Sequence, residues 1–141
     1  MIVRDLTPAD LPAVTALLGQ LGYGLADHEV RRRLGHLMKT PDHAARVADI
    51  DGKVVGVLHV FERPALEKPR EAVVQSLVVD AAQRSRGVGA ALMRDAEAWA
   101  RERGLASVAL YTRIDRQAAR AFYERIGYGL SATSHLLRRD L

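Results

Sequence analysis

Residues 71–80 read EAVVQSLVVD, and their apolar side chains fall at both odd and even positions. A strand that is apolar on both sides has to be covered on both faces, which places it inside a sheet flanked by helices. The chain then passes Arg84 and Arg86, crosses Gly87 and Gly89, and enters an alanine-rich segment. There Val88, Leu92, Ala96 and Trp99 form one helical stripe that stops at Gly104. LASVALYT at 105–112 reads as a further strand. Strand 71–79, helix 87–103 and strand 105–112 thus make a crossover unit of right-handed sense.

The other segments supply its neighbours. IVRDL at 2–6 is a short first strand, and Thr7 can cap a helix in which Leu11, Val14, Leu17, Leu18 and Leu21 keep the helical period. ADHEVRRRLGHLMKT predicts a second amphipathic helix with Val30, Leu34, Leu37 and Met38 on one face, broken at Pro41. Asp51-Gly52, flanked by apolar-rich runs, is a hairpin turn, so its two strands are antiparallel and the sheet is mixed. RPALEKPR at 63–70 is a loop, RQAARAFYERIGYG at 116–129 a helix stopped by Gly127, and HLLRRDL a last strand.

Composition narrows the function. The chain has 141 residues, the length of one domain, taken as residues 1–141. No apolar run approaches the roughly 18 residues of a membrane span. Charges at Arg4 and Asp5 interrupt any signal-peptide stretch, and cysteine is absent, so a cytoplasmic protein without disulfides or thiolate chemistry is expected. The net charge of +4 contains no block of five or six like charges, so a nucleic-acid-binding tail is not indicated. The histidines His28, His36, His43, His59 and His135 lack metal-ligand spacing, and no metal is expected.

The loop after the apolar strand carries the chemistry. A helix start presents unpaired backbone N–H groups and partial positive charge, and glycines there let a phosphate approach. A Walker A loop is excluded because Ala90-Ala91 stand where Lys-Ser/Thr is required, and a dinucleotide fingerprint because Leu92 replaces its third small residue. RSRGVG, through Arg84, Gly87 and Gly89, resembles the Q/R-x-x-G-x-G/A pattern of the Gcn5-related N-acetyltransferase (GNAT) superfamily. AFYERIGY resembles that family's second signature, and the order of elements is similar over nearly the whole chain. LGY near residue 22 and RRRL resemble a bacterial branch described as aminoglycoside or histone acetyltransferase-like.

The resemblance implies an α/β (α+β) acyl-CoA N-acyltransferase fold, with a mixed six- to seven-stranded sheet flanked by four helices. It implies transfer of the acetyl group of acetyl-CoA to a primary amine, on a small molecule or a peptide, by direct attack in a ternary complex. The backbone of Arg84, Ser85, Arg86, Gly87, Val88, Gly89 and Ala90 would hold the pyrophosphate, and Leu77, Val78 and Val79 the pantetheine arm. Strand 105–112 would splay from strand 71–79 to open a cleft. Tyr123 takes the family's position for protonating the departing thiolate, beside Phe122. Arg116 stands where many relatives carry an asparagine that meets the cofactor, and Gln75 where many carry a glutamate base. Glu71, Glu62 and His59 are the replacement bases to consider, unless water or an already neutral amine makes one unnecessary. A homodimer is compatible with the family. Two alternatives stay open: a non-catalytic acyl-CoA-binding sensor or interaction module, suggested by Gln75 and Arg116, and an RNA-directed, aminoacyl-tRNA acetyltransferase, suggested by the 21 basic residues.

Overall fold

A computed structural model describes residues 1–141. The chain runs β1 (Ile2–Asp5), α1 (Leu11–Gln20), α2 (Asp27–Lys39), β2 (His43–Ile50), β3 (Lys53–Arg63), β4 (Glu71–Val79), α3 (Val88–Glu102), β5 (Val108–Leu110) and α4 (Gln117–Arg125). One-turn 3-10 helices occupy Pro8–Asp10 and Ala81–Gln83. Residues 1–111 make one compact unit and residues 112–141 a second, which contains α4.

In the first unit the strands lie in chain order, β1-β2-β3-β4-β5. The first three junctions are antiparallel, and β4 and β5 are parallel, so the sheet is mixed as its sequence requires. It has five strands rather than the expected six or seven. HLLRRDL forms no strand, and Leu136 and Leu137 are 79% and 88% exposed. A strand needs an edge that accepts its backbone groups, and no strand of the sheet pairs with this segment. β5 is also shorter than 105–112, since the Leu105 N–H donates to the Ala100 carbonyl (3.0 Å) and closes the end of α3 instead.

The hairpin turn has the expected sequence and geometry: Asp51 and Gly52 both take positive φ, 51° and 82°, as a two-residue primed turn needs. Two bulges follow. Ala48 pairs with Gly56 and Asp49 with Val54, which leaves Val55 as an extra residue in β3. Val60 pairs with Val74 and His59 with Ser76, which leaves Gln75 as an extra residue in β4.

Helices cover both faces. On one, Val47, Val57 and Val78 of the sheet join Leu11, Val14 and Leu17 of α1 and Val30 and Leu34 of α2. Met38, expected on the same stripe, is 67% exposed, because α2 ends one residue later and its last turn passes beyond the sheet-facing apolar set. On the other face, α3 packs through Val88, Leu92, Met93, Ala96 and Trp99. Gly56 permits this approach: a Cβ there would lie 3.0 Å from Leu92 Cδ1 and 3.1 Å from Val88 Cγ1. Leu58 and Val60, fully buried, continue the same side of β3. Each such side chain contributes roughly 2–3 kcal/mol by leaving water.

The start of α1 is fixed by polar contacts. Thr7 and Asp10 cap each other reciprocally, and the buried Asp10 carboxylate accepts two guanidinium N–H groups of Arg4 at 2.9 Å. Arg4 also reaches Asp49 on β2 at 3.0 Å. The Arg4 guanidinium holds the Asp10 carboxyl down to about 2.

Candidate active site

β5 pairs only with Ala72, Val73 and Val74. From Gln75 to Val79 the edge of β4 on that side has no strand partner, so the two parallel strands part at the Gln75 bulge. Backbone N–H and C=O groups along Leu77, Val78 and Val79 are therefore available on one side, as an added extended chain would require. Gln75 is exposed, whereas Val73, Val74 and Val78 are buried.

The loop beyond β4 is held at its root. The Asp80 N–H donates to the Val55 carbonyl at 2.8 Å, so the extra residue of β3 fastens the end of β4. The Asp80 carboxylate accepts the Ala82 N–H at 3.1 Å, and that bond lowers its pKa. Gln20, at the end of α1, accepts the Ala81 N–H at 2.9 Å. The backbone then turns twice through positive φ, at Ser85 (65°) and at Gly87 (80°). Positive φ at a serine is an uncommon conformation.

Gly87 is the N-cap of α3, in the left-handed region, and no side chain caps the helix. The first helical bond is from the Ala91 N–H to the Gly87 carbonyl (3.0 Å), so helix geometry leaves Val88, Gly89 and Ala90 with N–H groups free of intrahelical acceptors. A Cβ on Gly87 would meet nothing within 4 Å, which marks open space over these donors. Arg84 and Arg86 are exposed and belong to none of the ion pairs. An anion could approach there against unpaired amides, the positive end of a fifteen-residue helix and two exposed guanidinium groups, of which Arg84 also acts at longer range on Asp80.

The replacement carboxylates are already engaged. Glu62 is buried and bound by Arg70 and by Arg103 (3.0 Å), and Arg103 first of all keeps its pKa low. Glu71 sits at the far end of β4, paired with Arg63 and accepting the Ser107 hydroxyl at 3.1 Å. His59 lies on β3 opposite Ser76, and its Nε2 is 2.9 Å from His43 Nδ1. Burial, then His43, pushes the His59 imidazole down to about 4. Sequence reasoning missed Gln20, Asp80, Val55 and His43; only the strand register and the bulges bring them to these places.

Tyr123, Phe122 and Arg116 belong to the second unit. Arg116 is the N-cap of α4, and Tyr123 is half-buried, edge-on to Phe122 at 5.1 Å and to Tyr128 at 6.2 Å. Burial raises the Tyr123 hydroxyl above the usual tyrosine value, against a smaller lowering by Arg116. The Tyr128 N–H returns to the Tyr123 carbonyl at 2.9 Å and closes the helix.

The model of the acetyltransferase (GNAT) family matches residues 12–128. The chain belongs to this family. Over 110 residues it is 32% identical to the "Probable N-acetyltransferase camello" of Xenopus tropicalis, covering 75% of this chain and 49% of that one. Over 94 residues it is 32% identical to an uncharacterized N-acetyltransferase of Methanocaldococcus jannaschii, covering 65% and 42%. The chain thus spans about half or less of these relatives' length. Aminoglycoside N-acetyltransferase AAC(6')-Iy, solved in complex with CoA, shares the GNAT fold with a TM-score of 0.89 at 17% identity, over 99% of this chain and 95% of that one. No helix is long and apolar enough to cross a membrane.

Proposed function

We propose that this chain is one GNAT domain over residues 1–141 that transfers the acetyl group of acetyl-CoA to a primary amine within a ternary complex. The observation that carries this is the open, uncapped start of α3 beyond a β4 whose last five residues lack a partner on one side. The fit is direct: a diphosphate needs several N–H donors and positive charge, and Val88, Gly89 and Ala90 with Arg84 and Arg86 supply both. The CoA-bound neighbour of the same fold supports the choice of ligand.

The residues divide the work. Arg84 to Ala90 hold the diphosphate, and the free edge of Leu77, Val78 and Val79 holds the pantetheine arm in extended form. Acetyl-CoA supplies an activated acetyl group as a thioester. A β4 backbone N–H serves as donor to the carbonyl oxygen, where negative charge grows during attack. Tyr123 delivers the proton to the leaving sulfur; its raised pKa keeps it protonated at neutral pH. The family resemblance assigns Phe122 and Arg116 to cofactor binding. Gln75 cannot accept a proton and acts by hydrogen bonding alone. The setting is cytoplasmic.

Calorimetry with acetyl-CoA tests the reading. Binding by the unaltered protein, weakened at least ~100-fold in Gly87→Asp, is expected, because the carboxylate would repel the diphosphate across open space. Absence of binding, or an unaffected Gly87→Asp, would sink it. Binding without thiol release over a broad amine panel would favour an acyl-CoA-binding module, which Gln75 makes the reading to fall back on.

A further inference from the structure

Gln75 and Ser76 together oppose one residue of the neighbouring strand, His59. His59 lies on β3, which pairs with the other edge of β4, so its side chain meets the opening only over the face of the sheet, across the ~4.8 Å to β4 at the bulge. It shares a face with Val57, two residues earlier, and therefore faces the side covered by α1 and α2. Its cross-strand neighbours on that face are small: Ala45 on β2 and Ser76 on β4. Beyond it, His43 stacks on His59 at 5.1 Å and on Phe61 at 5.2 Å, and the two imidazoles share a 2.9 Å hydrogen bond. His43 is the first residue of β2, at the margin of the sheet, and is itself only half-buried.

We propose that His59 is the base that takes the acceptor amine's proton, and that His43 positions it and passes the charge to solvent. The inference rests on the acetyltransferase reading above and supplies the acid–base partner that Gln75 cannot be. Glu62 and Glu71 are held by arginines, so the histidine pair is the unclaimed titratable chemistry beside the bulge. His59 stays neutral because burial disfavours its cation, and the charged influence on it comes from His43, while Ala45, Phe61 and Ser76 carry no charge. A neutral, half-buried imidazole keeps a lone pair at pH 7 but is a weak base alone. The hydrogen bond to a second imidazole removes that weakness, since the proton need not stay on His59.

The step balances as follows. The amine nitrogen bonds to the acetyl carbon and the carbon–sulfur bond breaks, with the sulfur protonated by Tyr123. The surplus proton on nitrogen goes to His59 Nδ1. His59 gives its Nε2 proton to His43 Nδ1, His43 loses its own Nε2 proton to water, water returns a proton to Tyr123, and proton exchange with solvent restores the starting tautomers of both imidazoles. This requires one tautomer: His59 protonated on Nε2 and bare on Nδ1.

Nitrogen-15 NMR of the full chain at pH 7 reads that tautomer directly and needs no acceptor. Neutral His59 with its proton on Nε2 is expected; a proton on Nδ1, or a charged ring, overturns the proposal. Kinetics provide the second arm, using the fastest acceptor in an alkylamine panel and thiol release from acetyl-CoA. His59→Asn should lower kcat ~100-fold or more, leave acetyl-CoA affinity within twofold, and recover in part with added imidazole. His43→Asn should lower kcat ~10-fold and return His59 to a single-imidazole pH profile. A kcat for His59→Asn within twofold of the parent overturns the base role, and His59→Gln serves where the asparagine variant fails to fold. Loss of acetyl-CoA binding by the unaltered protein would instead sink the transferase reading, and the NMR result would separate the two failures.

Discussion

Ala72–Val74 and Gln75–Val79 are consecutive pieces of β4, yet the first is held between β3 and β5 and the second has a strand on one side only. Around the first, charge is consumed: Arg63 pairs with Glu71, and Glu62 with Arg70 and Arg103. Beyond the second, charge is kept in reserve, with Arg84 and Arg86 exposed beside unpaired helix amides. The apolar sequence is similar in both pieces, so hydrophobicity does not separate scaffold from site. The bulge at Gln75 does, because it marks where the parallel partner leaves.

Three substitutions and a pH series probe how independent the two pieces are. The largest effect is expected at Gly56, which pairs with Val79 and touches Val88 and Leu92. Gly56→Ala would place a methyl against side chains at 3.0 and 3.1 Å and the Val78 carbonyl at 3.3 Å. Overpacking of that kind costs ~2 kcal/mol and should lower Tm by roughly 5–10 °C. Because the strained contact is with the first residue of α3, acetyl-CoA affinity should fall about tenfold as well. Calorimetry and thermal unfolding on one sample would reveal whether both move; a shift in Tm alone would show that the anion loop is independent of this packing.

Val74→Ala tests the closed piece. Val74 is 5% exposed, and losing its two methyl groups should cost ~1.5 kcal/mol, read as a lower midpoint in urea. Acetyl-CoA affinity well below the melting temperature should stay within twofold. A large loss of affinity here would erase the distinction between the two pieces.

The contrast was only partly legible in the sequence, and the reasons are local. The EAVVQSLVVD strand, the Asp51-Gly52 turn and the Gly87 helix start follow from side-chain patterning and turn chemistry, which act over a few residues. Bulges do not announce themselves that way. A regular two-residue hairpin would pair His43 with Val60 and Ala44 with His59, putting the two histidines on opposite faces of the sheet. Val55, one extra residue, shifts the register so that His43 pairs with Phe61 and Ala45 with His59, and both rings share a face. The shortened β5 and the missing strand at HLLRRDL were hidden for a related reason: pairing depends on an edge elsewhere in the chain, not on the segment itself.

Acid should weaken the open side in a defined order. The His59 pKa drops from 6.5 to about 4 on folding, so its contribution is complete above pH 6.5 and is lost as pH falls from 6.5 toward 4. Asp10, lowered from 3.8 to about 2 by Arg4, adds its own loss below pH 3.8. Tm measured from pH 7 to pH 3 should therefore fall first through His59 and then, below about pH 4.5, through Glu62, Asp80 and Asp10 together, so His59→Asn should flatten the first stage while Asp10→Asn removes only part of the second. A first stage that survives His59→Asn would mean that another group titrates there.

The smallest effect on folding is expected at Gln75, which is exposed and stands outside the regular ladder. Gln75→Glu should change stability by no more than ~0.5 kcal/mol, as surface substitutions usually do. It would nonetheless set a carboxylate opposite His59, at the point where β4 opens. In the His59→Asn background that carboxylate offers the missing proton acceptor, and thiol release should recover at least tenfold over His59→Asn alone. With His59 present, the same carboxylate would favour the imidazolium through their attraction and raise the His59 pKa, visible by NMR. A carboxylate that neither restores turnover in the one background nor moves the imidazole titration in the other would place the bulge and the histidine pair too far apart to share a proton, and the open piece of β4 would then bind the thioester without the pair taking part.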